Sequence, residues 1–438
     1  MASHISKLTL RSAIQTRGFA AQCVPSSGIL NTAVQTSTLP NKLIVASADN
    51  NSALTRVSVQ FKAGSRNESH DNAGVTHMIR LSAGLTTKNA SQFAITRNVQ
   101  QLGANLYCST DRETISYTLE GTPDVVEKLL PYLGEVATQQ TFRPWEIDEN
   151  LQRARVELAS RPPQQRAIDL LHKAAYRRGL GNSIFISKSQ LGKIESETLL
   201  HYVGSNFLAG RCAVVGLGID HQTLSNWAEQ LTLGDGAGET VKSPYKGGEI
   251  RSDKGGDLAF VAVGTESAGL SSKEALAFCV LKYALGAPPA VKYGQSSGLL
   301  ARAAGSGNYG ITAMNVAYSD SGLFGILAAA DSANAGKIVE AAVKVLRNPD
   351  IKENDVKRGK NAKKMELLST CEGANALEFI SNTALYTGSV PACGDILAAV
   401  DSITLDDVQK AAQKVCKGKL SIAAVGNLRN VPFLDELH

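Results

Sequence analysis

Asn72-Ala73-Gly74-Val75-Thr76-His77-Met78-Ile79-Arg80-Leu81 is the stretch that decides how the chain is read. Asp71 or Asn72 can cap a helix, and Val75, Met78, Ile79 and Ser82 recur at helical spacing, so a helix is expected to open here. Residues 77, 80 and 81 then share a face. A histidine in the first of these places suits a metal ion. The arginine and leucine in the others do not, because one is a permanent cation and the other has no donor atom.

In the inverted zinc-peptidase motif H-x-x-E-H, two histidines hold the metal and the glutamate activates its water. Here the five positions are His77, Met78, Ile79, Arg80 and Leu81. With Ala63-Gly64-Ser65-Arg66 before it and Gly74 just ahead of His77, the stretch resembles the N-terminal domain of the pitrilysin-type (M16) metallopeptidases. The resemblance implies a third ligand on a later helix, and Glu157 stands at the matching distance. The degenerate zinc-motif positions are therefore His77, Arg80, Leu81 and Glu157. A catalytic zinc site needs three protein ligands and a water, so no catalytic residue, metal or cofactor is expected. His77 is read as a partly buried helix histidine with an ordinary hydrogen bond.

A chain of 438 residues, 43% of them hydrophobic, is too long for one compact core. Only 5% are aromatic, so Ala, Val, Leu and Ile must do most of the packing. The formal charge is +5, and it falls to +2 without the first nineteen residues, which hold Lys7, Arg11 and Arg17 and no acid. Near neutrality argues against a nucleic-acid partner. Residues 1–19 are amphipathic, basic and acid-free, as expected of a removable mitochondrial transit peptide, with Arg17-Gly18-Phe19-Ala20 as its processing site. Residues 20–37 are read as an N-terminal extension. Cys23, Cys108, Cys212, Cys279, Cys371, Cys393 and Cys416 are an odd number without C-x-x-C spacing, which fits free thiols in a reducing compartment. No apolar run is long enough to cross a bilayer.

The remainder repeats. Strands are expected at 42–47 and 54–61, a strand pair turns near Ser109-Thr110-Asp111, an amphipathic helix runs from Pro123 to Val136, and Pro144 starts the Glu157 helix. In the second half, Leu258–Val263 matches the strand at 54–61, Ser272–Leu285 matches the motif helix, and 309–318 with 322–327 match the strand pair. Pro349–Leu367 matches Pro144–Leu158. Ile194–Leu199 lines up with Val400–Leu405 at an offset of 206, and Gly210–Val214 with Gly418–Ile422 at 208, which indicates tandem duplication. The expected fold is α+β: two homologous domains, 38–232 and 257–438, each a mainly antiparallel sheet covered by helices on one side. An exposed glycine-rich linker, 233–256, joins them.

The segments Leu285–Gly294, Ser296–Leu299 and Tyr318-Ser319-Asp320-Ser321-Gly322-Leu323-Phe324-Gly325 are similar to the M16 family members found as core subunits in mitochondrial ubiquinol–cytochrome c reductase, the cytochrome bc1 complex. On the residues alone, 318–322 is a tight turn in which Asp320 and Gly322 supply the backbone conformation, with no chemical role. The resemblance implies a non-catalytic structural subunit on the matrix side of the inner membrane. It would pair with core protein 1 beneath cytochrome b, cytochrome c1 and the Rieske protein, around a vestigial cavity with room for a presequence peptide. Two other readings compete. One is the substrate-binding alpha subunit of the mitochondrial processing peptidase, whose glycine-rich loop is here only the short run 303–310. The other is an active zinc metalloendopeptidase, which would need His77 and Glu157 joined by Glu149 or His70.

Overall fold

A computed structural model describes residues 34–437 apart from 51, 237, 239, 287–297, 306 and 373–374. The expected transit peptide, most of the 20–37 extension and most of the 285–299 signature lie outside the described residues. The first half runs β1 (Gln35–Thr38), β2 (Ile44–Ala48), β3 (Thr55–Phe61), α1 (Val75–Leu81), α2 (Gln92–Gln101), β4 (Asn105–Thr110), β5 (Ile115–Gly121), α3 (Pro123–Thr138), α4 (Pro144–Ser160), α5 (Pro163–Tyr176), α6 (Ser196–Asn206), β6 (Cys212–Leu217) and α7 (His221–Ala228). The second runs β7 (Glu249–Asp253), β8 (Leu258–Ser267), α8 (Ala275–Leu285), α9 (Leu299–Ala304), β9 (Tyr309–Ala317), β10 (Gly322–Asp331), α10 (Ala335–Arg347), α11 (Glu353–Glu372), α12 (Ala376–Thr387), α13 (Cys393–Ser402), α14 (Leu405–Lys417) and β11 (Ser421–Gly426).

The two sheets have the same order. One is β1-β2-β6-β3-β5-β4 and the other β7-β11-β8-β10-β9. In each, the first long strand pairs in parallel with the last one of its half, and the other long strands are antiparallel. The duplication is therefore real, with a corrected register. The helices starting at Ser196 and Leu405 are 209 apart, as are the strands starting at Cys212 and Ser421. The 194/400 echo is thus out by three residues, close to one helical turn, because the extra helix α13 supplies the first part of the echo in the second half.

The stretch expected as linker also differs. Its end is β7, the counterpart of β2, and its middle is packed into the molecule. The Ser243 hydroxyl is buried and accepts from the Leu180 amide at 3.0 Å, and the Tyr245 hydroxyl donates to the Lys419 carbonyl at 2.8 Å. One of its glycines, Gly248, is a place of close backbone approach, where a Cβ would lie 3.2 Å from the Ala174 carbonyl oxygen, a use of glycine that looks the same as flexibility in a sequence.

Period-two alternation gives each sheet two apolar faces. Val57, Val59 and Val214 face the helices of their own half, while Ala46, Ala48, Ala213 and Val215 face the other way. That second face is covered by α12, through Leu377, Ile380 and Leu385, each contributing about 2 kcal/mol relative to exposure. The exchange is mutual. Phe260, Ala262, Ala423 and Val425 of the second sheet are covered by Ala167, Leu171 and Ala175 of α5. Helices on one side is therefore the correct description of each half alone, and in the whole chain the equivalent helices α5 and α12 cross over to close the opposite sheet.

Candidate functional site

The site is built on α1, α4 and the loop at 185–186. Helix α1 starts at Val75, and its N-cap is Gly74, not Asp71 or Asn72. Gly74 has φ 96°, and a Cβ there would lie 2.7 Å from the Ile186 Cα, so the position requires glycine on both counts. The capping acceptor is Glu68, buried, whose carboxyl accepts from the Gly74 amide at 2.8 Å, the Thr76 amide at 2.9 Å and the Thr76 hydroxyl. Burial pushes the Glu68 carboxyl up to about 7, against the pull of those hydrogen bonds. This residue went unnoticed in the sequence. An acid six residues ahead of a glycine is the signal it leaves.

His77 and Arg80 project from α1 onto the same carboxylate, as the shared face predicts, and Leu81 turns into the core at 1% exposure. The Arg80 guanidinium donates through Nη2 to Glu157 Oε1. His77 Nε2 stands 3.4 Å from Glu157 Oε2, and its Nδ1 accepts from the Ile186 amide at 3.4 Å. Instead of partly buried with an ordinary hydrogen bond, His77 is wholly buried with two long contacts, and its ring meets Phe185 edge-on at 5.5 Å. Burial, and next the Arg80 charge, pull His77 down to about 4, so it is neutral. Burial would raise the Glu157 carboxyl, but the Arg80 hydrogen bond and charge hold it below its usual value.

These residues do not fit zinc. The general base is replaced by a guanidinium that satisfies the third ligand, and the second histidine by a core leucine. His70 and Glu149 are solvent-exposed. Among the described residues, no three His, Cys, Asp or Glu side chains are grouped to hold a metal ion. Beside the site runs a groove of about 980 Å³ whose lining includes Arg155, Arg161, Arg166, Lys173, Lys188 and Lys254.

A second polar cluster joins the halves. Arg66, 2% exposed, donates to Glu113 at 2.6 Å, to both Asp320 oxygens at 2.8 and 2.5 Å, and to the Val241 carbonyl at 2.8 Å. The Ser319 amide and hydroxyl donate to Glu113 at 3.0 and 2.6 Å. The Tyr318 hydroxyl donates to His172 Nε2 at 2.8 Å, whose Nδ1–H bonds the Ile168 carbonyl. The 318–322 turn thus acts through its side chains: neither Asp320 nor Gly322 has a positive φ. Gly322 is needed because a Cβ would lie 2.6 Å from the Ala268 carbonyl oxygen. The two motifs that stood out in the sequence, 63–66 and 318–325, meet here.

Two family models match this chain: insulinase (peptidase family M16) over residues 43–188 and the peptidase M16 inactive domain over 193–363. The chain belongs to peptidase family M16. Within that family it is 39% identical to rat cytochrome b-c1 complex subunit 2 and 38% to the human protein, over 91% of both chains in each case. An Arabidopsis protein named "Probable mitochondrial-processing peptidase subunit alpha-1" is more distant, at 28% over 92% of this chain and 84% of its own. A chain in the structure of complex III2 from Candida albicans, Inz-5 bound, shares the fold with a TM-score of 0.79 at 18% identity, covering 92% of this chain and 98% of that one.

Proposed function

We propose that the chain is a non-catalytic structural subunit of the mitochondrial cytochrome b-c1 complex, seated on the matrix side of the inner membrane. It pairs there with core protein 1 and packs against cytochrome b, cytochrome c1 and the Rieske protein. The observation that carries the non-catalytic reading is the Arg80–Glu157 ion pair, which puts a fixed cation where peptidase chemistry needs a base and a metal. End-to-end similarity to subunit 2 proteins supports the assembly. Among the described residues no helix is long and apolar enough to cross a membrane, so association runs through partner subunits. The cationic groove weighs against the rival role in presequence binding, because mitochondrial presequences are basic and meet like charge there.

The test is a native gel of mildly solubilised mitochondria with this chain tagged. Migration with cytochrome b and cytochrome c1 is expected. Migration as a soluble heterodimer with an intact H-x-x-E-H partner would replace this reading with the processing-peptidase one.

A further inference from the structure

The geometry points to a reversible disulfide between Cys371 and Cys393 that fastens the two ends of the crossover helix α12. Cys371 lies in the last turn of α11 and Cys393 is the first residue of α13. Their sulfur atoms are 2.7 Å apart, 22 positions apart in sequence, and both side chains are buried in a small apolar cluster with Leu367, Phe379, Ile396 and Leu397. A disulfide needs sulfurs about 2.0 Å apart, so the bond can form with little movement of either helix. All six cysteines among the described residues are free thiols, Cys371 and Cys393 included, and these two are the pair in sulfur–sulfur contact. Two thiols held together in a reducing compartment are a switch and not a permanent staple.

The chemistry balances with a hydroperoxide as oxidant. Cys393 is the better first nucleophile. It is the less buried of the two, 7% exposed against 1%, and so the one a peroxide reaches first. Burial, and then the neighbouring Cys393, push the Cys371 thiol up to about 12. The Cys393 thiolate attacks the peroxide O–O bond, giving a sulfenic acid and, after protonation, water. The Cys371 sulfur then displaces the sulfenic oxygen, which leaves as a second water. Two thiols lose two electrons and two protons, and one hydrogen peroxide becomes two waters.

Between these cysteines lies α12, which closes the open face of the first sheet. Linking its two ends restricts its undocked states and leaves the docked one unchanged, so oxidation fixes the two halves together.

The full-length purified chain, reduced and then exposed to hydrogen peroxide, is quenched in acid, alkylated under denaturing conditions and mapped by mass spectrometry. The expected product is one peptide pair joined through Cys371 and Cys393, reversed by dithiothreitol, with Cys108, Cys212, Cys279 and Cys416 still alkylated. In Cys371→Ser a 1,3-dicarbonyl probe should label Cys393. Amide exchange in 376–387 should slow on the order of tenfold in the oxidised protein. Recovery of both cysteines alkylated, or separately over-oxidised, would overturn the proposal; unchanged exchange would overturn the tether. The wild-type map decides the first point even if the serine variant fails to fold.

Discussion

Glu157 on α4 and Glu366 on α11 occupy the same place in the two halves, 209 positions apart like the helices and strands around them. Each faces the first helix after the long second strand. In the first half the carboxylate meets Arg80 and a neutral His77. In the second it meets Lys363 at 2.6 Å and Lys282 at 3.6 Å, with the Tyr283 hydroxyl beside it. Lys282 of α8 thus reaches Glu366 as Arg80 of α1 reaches Glu157. Both copies keep the acid and answer it with a cation from their own half. The difference lies in the support. Around Glu157 there is a buried histidine, a left-handed glycine and a buried capping acid, whereas α8 starts from Glu274 in ordinary helical conformation with its side chain in solvent. The acid of the first copy thus sits in a specialised support that the acid of the second copy lacks.

The largest expected effect comes from refilling the first copy. Arg80→Glu with Leu81→His restores the motif beside Glu157, and the double variant should bind one zinc per chain and gain several kcal/mol of zinc-dependent stability, roughly. Wild type should bind none at this place. Equilibrium dialysis with metal analysis and thermal unfolding with and without zinc check both, and a tight zinc in wild type lost on Glu157→Gln would end the pseudopeptidase reading. Gly74→Ala should cost about 3 kcal/mol through its positive φ and its contact with Ile186. Glu274→Ala, at the N-cap of α8, should cost under about 0.5 kcal/mol. Denaturant unfolding of the two variants tests that asymmetry.

Next in size is a pH effect. His77 titrates at about 4 in the fold and near 6.5 when unfolded. Its contribution is complete above pH ~6.5 and drains as the pH falls toward 4. Glu68, raised to about 7, acts in the opposite direction: its contribution is present below pH ~4.5 and is lost as the pH rises through 7. The two slopes oppose each other in the wild type. His77→Asn removes one of them, so between pH 7 and pH 5 the variant should gain about 2 kcal/mol relative to the wild type. A constant difference would show that His77 is not held neutral. Smallest are the carboxylates themselves: Glu157→Gln should cost about 1 kcal/mol and the more exposed Glu366→Gln about 0.5 kcal/mol, and equal costs would erase the distinction between the two copies.

The duplicated order and the strand pairs were legible because they rest on period, turn chemistry and repeat spacing, whereas the α1–Glu157 approach was legible only as what the M16 resemblance implies. The linker strand β7 was hidden by its glycines. The Arg66–Glu113–Asp320 cluster was hidden by distance: its members are 47 and 254 positions away from Arg66, and no local pattern records a contact of that range. The crossing of α5 and α12 escaped for a related reason. An amphipathic helix shows that it has an apolar face, but not which sheet that face will meet.

That crossing also sets an order of events for the growing chain. When residues 34–232 have been made, the face of the first sheet formed by Ala46, Ala48, Ala213 and Val215 has no cover, and α5 has no sheet to lie on. The cover is encoded about 160 residues beyond β6, at Ala376–Thr387. A ribosome adding roughly 5–20 residues each second leaves that face open for about ten seconds or more. The first half is therefore an aggregation-prone intermediate whenever the chain is made or threaded from its N-terminus, and cutting the protein at its midpoint yields two sticky pieces instead of two domains.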